Sequence, residues 1–149
     1  ILHRRRPHIW VAYSDDLVNW DDHQIIMSPR EGADDDWDSK SIGANGLPIK
    51  TEYGWLLFYH GYGEDHIYRQ SVALLDLNDP TKVLNRPKSY IIQPEETWEI
   101  KGDVPNVIFS CSNNVVGDQL YFYYAGADRV VGLATAPFAE VVEFARNGA

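Results

Sequence analysis

The sequence predicts an all-β protein assembled from propeller blades, and three observations predict it. Short runs rich in aromatic and branched residues recur along the chain, each closed by Gly, Pro, Asn or Asp, as strands and turns are. One unit is then repeated: Leu57-Phe58-Tyr59-His60-Gly61 is echoed by Phe122-Tyr123-Tyr124-Ala125-Gly126, each after a tight turn. The strands that follow also answer one another, Val72-Ala73-Leu74 with Val131-Gly132-Leu133. Similar antiparallel sheets at such a spacing describe blades packed around an axis. Trp10-Val11-Ala12-Tyr13-Ser14 fits a later strand of an earlier unit, which makes two blades and part of a third. A closed propeller holds more blades than that. The expectation is a single partial propeller domain over residues 1–149, truncated at its N-terminus, with a short C-terminal helix.

Composition narrows the function classes. The chain has 149 residues, 44% of them hydrophobic and 13% aromatic, enough for one real core. A formal charge of −9 excludes a non-specific nucleic-acid binder, which needs a basic face to displace counterions. No apolar run reaches the length of a bilayer span, so no membrane partner is expected. The one cysteine, Cys111, rules out an internal disulfide framework and fits a reducing, cytoplasmic compartment. Cys111 has no activating base nearby in sequence and is expected to be buried and inert.

The first residues already look like a strand interior, and His8 to Tyr13 form a second strand. Ser14-Asp15-Asp16-Leu17 turns the chain, and Gln24 to Met27 resume a short strand that Pro29 stops. Residues 30–46 contain three glycines and no periodic pattern and are expected to form a long loop of the kind that carries function. Leu47 to Thr51 and Trp55 to Tyr59 make a hairpin around Glu52-Tyr53-Gly54. Val72 to Leu77 ends at Asn78-Asp79-Pro80, and Tyr90-Ile91-Ile92 is a further short strand. A polar loop covers 93–106, then strands are expected at 107–109, 114–116, 120–124 and 130–135, with Gly117-Asp118 as a hairpin turn. Only Pro137 to Arg146 has helical spacing, through Phe138, Val141, Val142 and Ala145.

Several polar groups bear on chemistry. His3-Arg4-Arg5-Arg6 reads either as a solvated start or as an anion site, since guanidinium groups bind phosphate in a bidentate way. His60 stands where its own repeat has Ala125, so the blade itself does not ask for a histidine. It reads either as a ligand or as a satisfied polar group at a strand end. Trp37-Asp38-Ser39-Lys40 places an aromatic, an acid and a base beside glycines. The acidic run Asp34 to Asp36 lacks the alternation of a calcium loop and reads as solvated. Trp10, Trp20, Trp55 and Trp98 read as core or inter-blade packing. Zinc spacing, a P-loop and a nucleophile elbow do not occur.

Taken together, Leu2-His3-Arg4, Pro7-x-Ile9-Trp10-x-Ala12-Tyr13-Ser14-x-Asp16-Leu17-x-x-Trp20 and Trp37-Asp38-Ser39-x-x-Ile42-Gly43 form a collinear pattern. It continues through Pro48-Ile49-Lys50-Thr51, Gly54-Trp55-Leu56-x-x-Tyr59-His60-Gly61 and Tyr68-Arg69. Ala73-Leu74-Leu75-Asp76-Leu77-x-Asp79-Pro80, Val104-Pro105-Asn106-Val107 and Ala127-Asp128 complete it. The pattern resembles glycoside hydrolase family 130, the inverting β-mannoside phosphorylases and their hydrolytic relatives, in the C-terminal part of their five-bladed propeller. The resemblance implies a β-mannoside oligosaccharide and inorganic phosphate as partners, with phosphate a co-substrate and with neither metal nor organic cofactor. By motif position Arg4, Lys40 and His60 look like phosphate ligands, and Asp38, Tyr68, Arg69 and Asp128 like parts of the sugar or phosphate pocket.

Departures from the family pattern are informative. Asn45 stands where a glycine is usual, and Ser112 where glycine tends to follow cysteine. The Gly-x-Glu-Asp-type motif that carries the family's proton-donor aspartate does not occur, so no catalytic acid is assigned. Proton donation contributes about 10²–10⁴-fold in rate. The expectation is therefore a chain weakly active or inactive alone. Two other readings remain open: a non-catalytic module that self-associates and binds a sugar or an anion, and a hydrolase using an acid from Asp34 to Asp38. A partial propeller is also expected to associate with itself, most simply as a two-fold dimer.

Overall fold

A computed structural model of the chain describes residues 1–31 and 36–148. Its strands form three antiparallel sheets. The first contains β1 (Leu2–Arg5), β2 (His8–Tyr13) and β3 (Asp21–Met27), with β2 in the middle. The second runs in the order β4 (Ser41–Lys50), β5 (Trp55–Tyr62), β6 (Arg69–Leu75), β7 (Val83–Asn85). A four-residue helix, α1 (Thr97–Ile100), precedes the third sheet, in which β9 (Gln119–Gly126) lies between β8 (Ile108–Val116) and β10 (Val130–Pro137). The chain closes with α2 (Phe138–Asn147). The repeat read from the sequence is thus a repeat of place. Leu57 to Gly61 and Phe122 to Gly126 lie in the middle strand of each unit, β5 and β9.

Alternation along β5 explains why that run reads as continuously apolar. Leu57 and Tyr59 join Ile9, Val11, Ile26 and Ile42 in a core between the first and second sheets. Leu56 and Phe58 join Ile108, Leu120, Phe122 and Val141 in a core on the other face. A strand buried on both faces needs apolar residues at every position. β6 is divided in the same way, Ala73 and Leu75 to one core and Val72 and Leu74 to the other.

The structure differs from the sequence reading in several places, each for a physical reason. The loop expected at 30–46 gives way to β4 from Ser41, and Gly43 is a strand residue paired with His60. Glycine weakened the strand signal because its role there is close approach, described below. β5 continues past His60 to Tyr62, so His60 is a ladder residue, not the end of a strand. Tyr90 to Ile92 is not a strand; Ile92 makes a single bridge to Gln70. α1 interrupts the polar loop, and β8 is unbroken across 108–116. Cys111 is exposed because the pairing of β8 with β9 shifts between Ser110 and Ser112, leaving one residue bulged out. The buried tryptophan is Trp37, whereas Trp98 stacks on Tyr124 at 5.8 Å and stays 37% exposed. Among the described residues no helix is long and apolar enough to cross a membrane.

Candidate anion and sugar site

The site begins with a glycine. In the β4–β5 ladder Gly43 lies opposite His60, and a Cβ on Gly43 would stand 2.5 Å from Cε1 of His60 and 3.0 Å from Cδ of Arg4. The imidazole can approach the β4 backbone this closely because no side chain projects from Gly43. Phe109 covers it at 4.5 Å between ring centres, and Tyr68 stacks against it at 5.9 Å. The β1–β2 turn delivers the arginines, anchored where the Ile42 N–H donates to the Pro7 carbonyl at 3.0 Å. Arg4, Arg5 and Arg6 are exposed there.

Arg4 Nη1 donates to Nε2 of His60 at 3.0 Å. An arginine has no acceptor to offer, so Nε2 holds a lone pair and the ring proton sits on Nδ1. Nδ1 then donates to Asn45 Oδ1 at 2.7 Å, Asn45 Nδ2 donates to Gln70 Oε1, and Gln70 Nε2 donates to the Ile108 carbonyl. Asn45 and Gln70 are both buried. Burial and then the charges of Arg4 and Arg6 push the His60 pKa down to about 3, so the ring is neutral. The same ensemble acts on Tyr68. Its hydroxyl is pushed up by burial, by Tyr62 and by Asp128, against the opposing pull of Arg6 and Arg4. Asp128 is exposed on the turn after β9, where Ala127 and Asp128 both take positive φ. Tyr68 is held by two backbone bonds, donating to Asn106 and accepting from Ile108.

Of the residues singled out by sequence, the structure brings Arg4, His60, Tyr68 and Asp128 into one electrostatic neighbourhood. Lys40 precedes β4 at the same end of the sheet, its backbone N–H on the Tyr62 carbonyl and its ammonium paired with Glu64. Arg69 pairs with Asp65 at 2.8 Å, donates to Gln93 and lies over Tyr90 at 5.2 Å. Together with Trp37, Asp36 and Glu64 it lines a cavity of about 310 Å³.

Asp38 is placed differently. Its carboxylate is 0% exposed, paired with Arg86 at 2.7 Å and Arg30 at 3.2 Å, and accepts from the Tyr59 hydroxyl at 3.0 Å. Those arginines also bond the carbonyls of Ser28, Arg86, Pro87 and Lys88, so Asp38 fastens two loops and offers no face to a ligand. Its enclosure also removes it as a hydrolytic acid; Asp34 and Asp35 lie outside the described residues. Arg6 belongs to the site as part of the basic cluster read as an anion site; Asn45, Gln70 and Phe109 belong to it but were not picked out as site residues by the sequence. Gln70 had no signal, lying within an ordinary strand run.

A family model described as β-1,4-mannooligosaccharide phosphorylase matches residues 1–147. The chain belongs to glycoside hydrolase family 130. A β-1,2-mannobiose phosphorylase of Thermoanaerobacter sp. strain X514 is 56% identical over 134 residues, 90% of this chain and 43% of the relative. A 1,2-β-oligomannan phosphorylase of the same organism is 50% identical, again over 90% of this chain and 44% of the relative. Among solved structures, β-1,2-mannobiose phosphorylase from Listeria innocua in complex with β-1,2-mannobiose superposes with a TM-score of 0.85 at 40% identity. That alignment covers 91% of this chain and 38% of the other. The family 130 chain described here therefore spans under half the length of these relatives, and its three sheets are blades of their propeller.

Proposed function

We propose that this chain supplies the phosphate side of a β-mannoside phosphorylase. In that reaction an oxygen of inorganic phosphate attacks the anomeric carbon, the glycosidic C–O bond breaks, and an acid protonates the departing oxygen. The observation that carries the reading is the exposed guanidinium of Arg4 seated on buried, neutral His60, with Arg6 and the Tyr68 hydroxyl beside it. Two delocalised cations on a rigid base suit the planar, bidentate recognition of phosphate. Lys40 adds charge from the same end of the sheet, and Tyr68, Arg69 and Asp128 contribute toward the sugar. Both relatives at 50% and 56% identity are named for β-1,2-linked mannosides, which favours that linkage as substrate.

We assign no acid among these residues, and the 149-residue chain by itself is accordingly inactive or weakly active. Isothermal calorimetry with inorganic phosphate tests the binding half: wild type gives saturable heat and Arg4→Ala does not. Incubation of the chain with phosphate and β-1,2-mannobiose, assayed for mannose 1-phosphate, tests the other half. Turnover at the rate of a full-length phosphorylase defeats the assignment, because some described residue then acts as the acid.

A further inference from the structure

Asp38 offers no face to a ligand, and the loops that its two arginines fasten are the walls of a cavity. Arg30 and Arg86 converge on its carboxylate, and Arg30 also donates to the carbonyls of Arg86, Pro87 and Lys88. Trp37 Nε1 donates to the same Lys88 carbonyl at 2.8 Å, and Ser71 Oγ donates to that of Ser89 at 2.9 Å. Tyr90 follows directly, edge-on to Trp37 at 6.1 Å, while Trp37 stacks on Tyr59 at 5.5 Å. Trp37 and Tyr90 thus make a fixed aromatic wall for the cavity of about 310 Å³, which Gly63, Glu64, Asp65 and Arg69 also line.

Arg69 is held in this wall with one donor uncommitted. Its Nη1 pairs with Asp65 at 2.8 Å, its Nε donates to Gln93 at 3.2 Å, and its guanidinium lies over Tyr90 at 5.2 Å. Among the described residues Nη2 has no hydrogen-bond partner, although the side chain is only 11% exposed. Charge narrows the ligand. Glu64 and Asp65 are already paired, with Lys40 and Arg69, so neither draws an ion, and Asp36 adds a negative charge that turns anions away. What suits such walls is neutral, with C–H faces for the aromatic rings and hydroxyls that donate to carboxylates and accept from a guanidinium. A sugar ring has both. Ligand sites run from about 300 to about 1,000 Å³, so a cavity at the small end takes one ring and not a chain. We propose that this cavity binds one ring of a β-mannoside oligosaccharide, outside the pair of rings whose linkage is broken. The inference rests on the mannoside reading above and deepens it, making a trisaccharide a better ligand than a disaccharide. Tyr68 and Arg69 are successive residues, one against the His60 ring and the other on the cavity wall, so a sugar chain can pass from site to cavity across the start of β6. The walls are fastened in advance, so little ordering entropy is lost on binding.

Titrating the isotope-labelled chain with β-1,2-mannotriose and with β-1,2-mannobiose, followed by nuclear magnetic resonance, tests the assignment. The expected result is a saturable shift of the Trp37 indole N–H and the Tyr90 ring with mannotriose. Mannotriose should also bind about tenfold more tightly than mannobiose, the gain from one hydrogen bond to a charged group. Tyr90→Ala should bring the two sugars to equal affinity and leave the calorimetric heat with inorganic phosphate unchanged. Mannotriose shifts at Tyr68 and His60 with none at Trp37 or Tyr90 overturn the cavity site and leave the mannoside reading standing. Equal affinity of the wild type for both sugars also overturns it. No response to either sugar, with phosphate heat intact, removes this inference together with the sugar half of the proposed function and spares the phosphate half. The wild-type titrations decide each case even if the Tyr90→Ala variant does not fold.

Discussion

Burial and the guanidinium groups of Arg4 and Arg6 hold His60 at about 3 in the folded chain, where an unperturbed histidine titrates at 6.5. Between those values the unfolded chain binds a proton that the native ring refuses. The sign follows: the contribution is full above 6.5, falls as pH drops toward about 3, and is level below that. Between about pH 7 and about pH 5 the loss amounts to about 2 kcal/mol. Urea unfolding at both pH values measures it, and His60→Gln, which cannot take up the proton, should lose correspondingly less. Equal losses in both proteins would mean the ring is more accessible than its 2% exposure indicates. At this scale the sequence was legible where a residue broke a pattern. His60 stood out because its repeat partner is Ala125, and the structure gives it a polar network that Ala125 does not have. For Asp38 the sequence shows that an acid is present and not which cations enclose it.

Gly43 shows how a strand is shaped by its site. A methyl there meets the His60 ring at 2.5 Å and Arg4 at 3.0 Å, and the ring is itself packed by Phe109 at 4.5 Å between ring centres. Gly43→Ala should cost about 1–3 kcal/mol, the usual range for overpacking a filled core. It should also abolish phosphate heat, since Arg4 loses its seat. Gly117→Ala is the comparison: its φ is +64° and nothing lies within 4 Å of the added methyl, so only backbone strain is paid there and the phosphate heat persists. If the two variants bind phosphate alike, the packing account of Gly43 is wrong. The same residue explains what the sequence hid. β5, β6 and β9 announced themselves because burial demanded apolar residues, whereas β4 was masked by Gly43 and Gly46, which read as loop. α1 was masked differently. It is one turn long, fixed by the reciprocal bonds of Glu96 and Glu99 and by Glu99 accepting from the Tyr124 hydroxyl at 2.6 Å. Such a contact between distant residues leaves no periodicity to read.

Across the whole molecule, charge and apolar surface are unevenly divided. The chain carries −9 overall, yet no residue of β8, β9 or β10 is charged. Leu120, Phe122 and Tyr124 face the core, so the alternate residues of that sheet face outward. On that outer face Val131 is 80% exposed, Val116 66%, Leu133 49% and Tyr123 39%. Leu133 lies directly opposite Tyr123 and Val131 opposite Ala125, which makes Val131, Leu133 and Tyr123 contiguous, while Val116 stands opposite Gln119 toward the other end of the sheet. β10 is also the edge of its sheet, with no lysine to discourage another strand. A continuous apolar face beside an unguarded edge is uncommon on a stable monomer. The chain on its own should therefore associate through this sheet, most simply as a two-fold pair, the commonest closed symmetry. Light scattering over a concentration series should give twice the 17.0 kDa chain mass, and Leu133→Lys should return it to the single value. Placing lysine there leaves the Arg4–His60 site untouched, so its phosphate heat should persist while the mass halves. A compact monomer at every concentration, or a Leu133→Lys dimer as tight as wild type, would show that this sheet is not the contact.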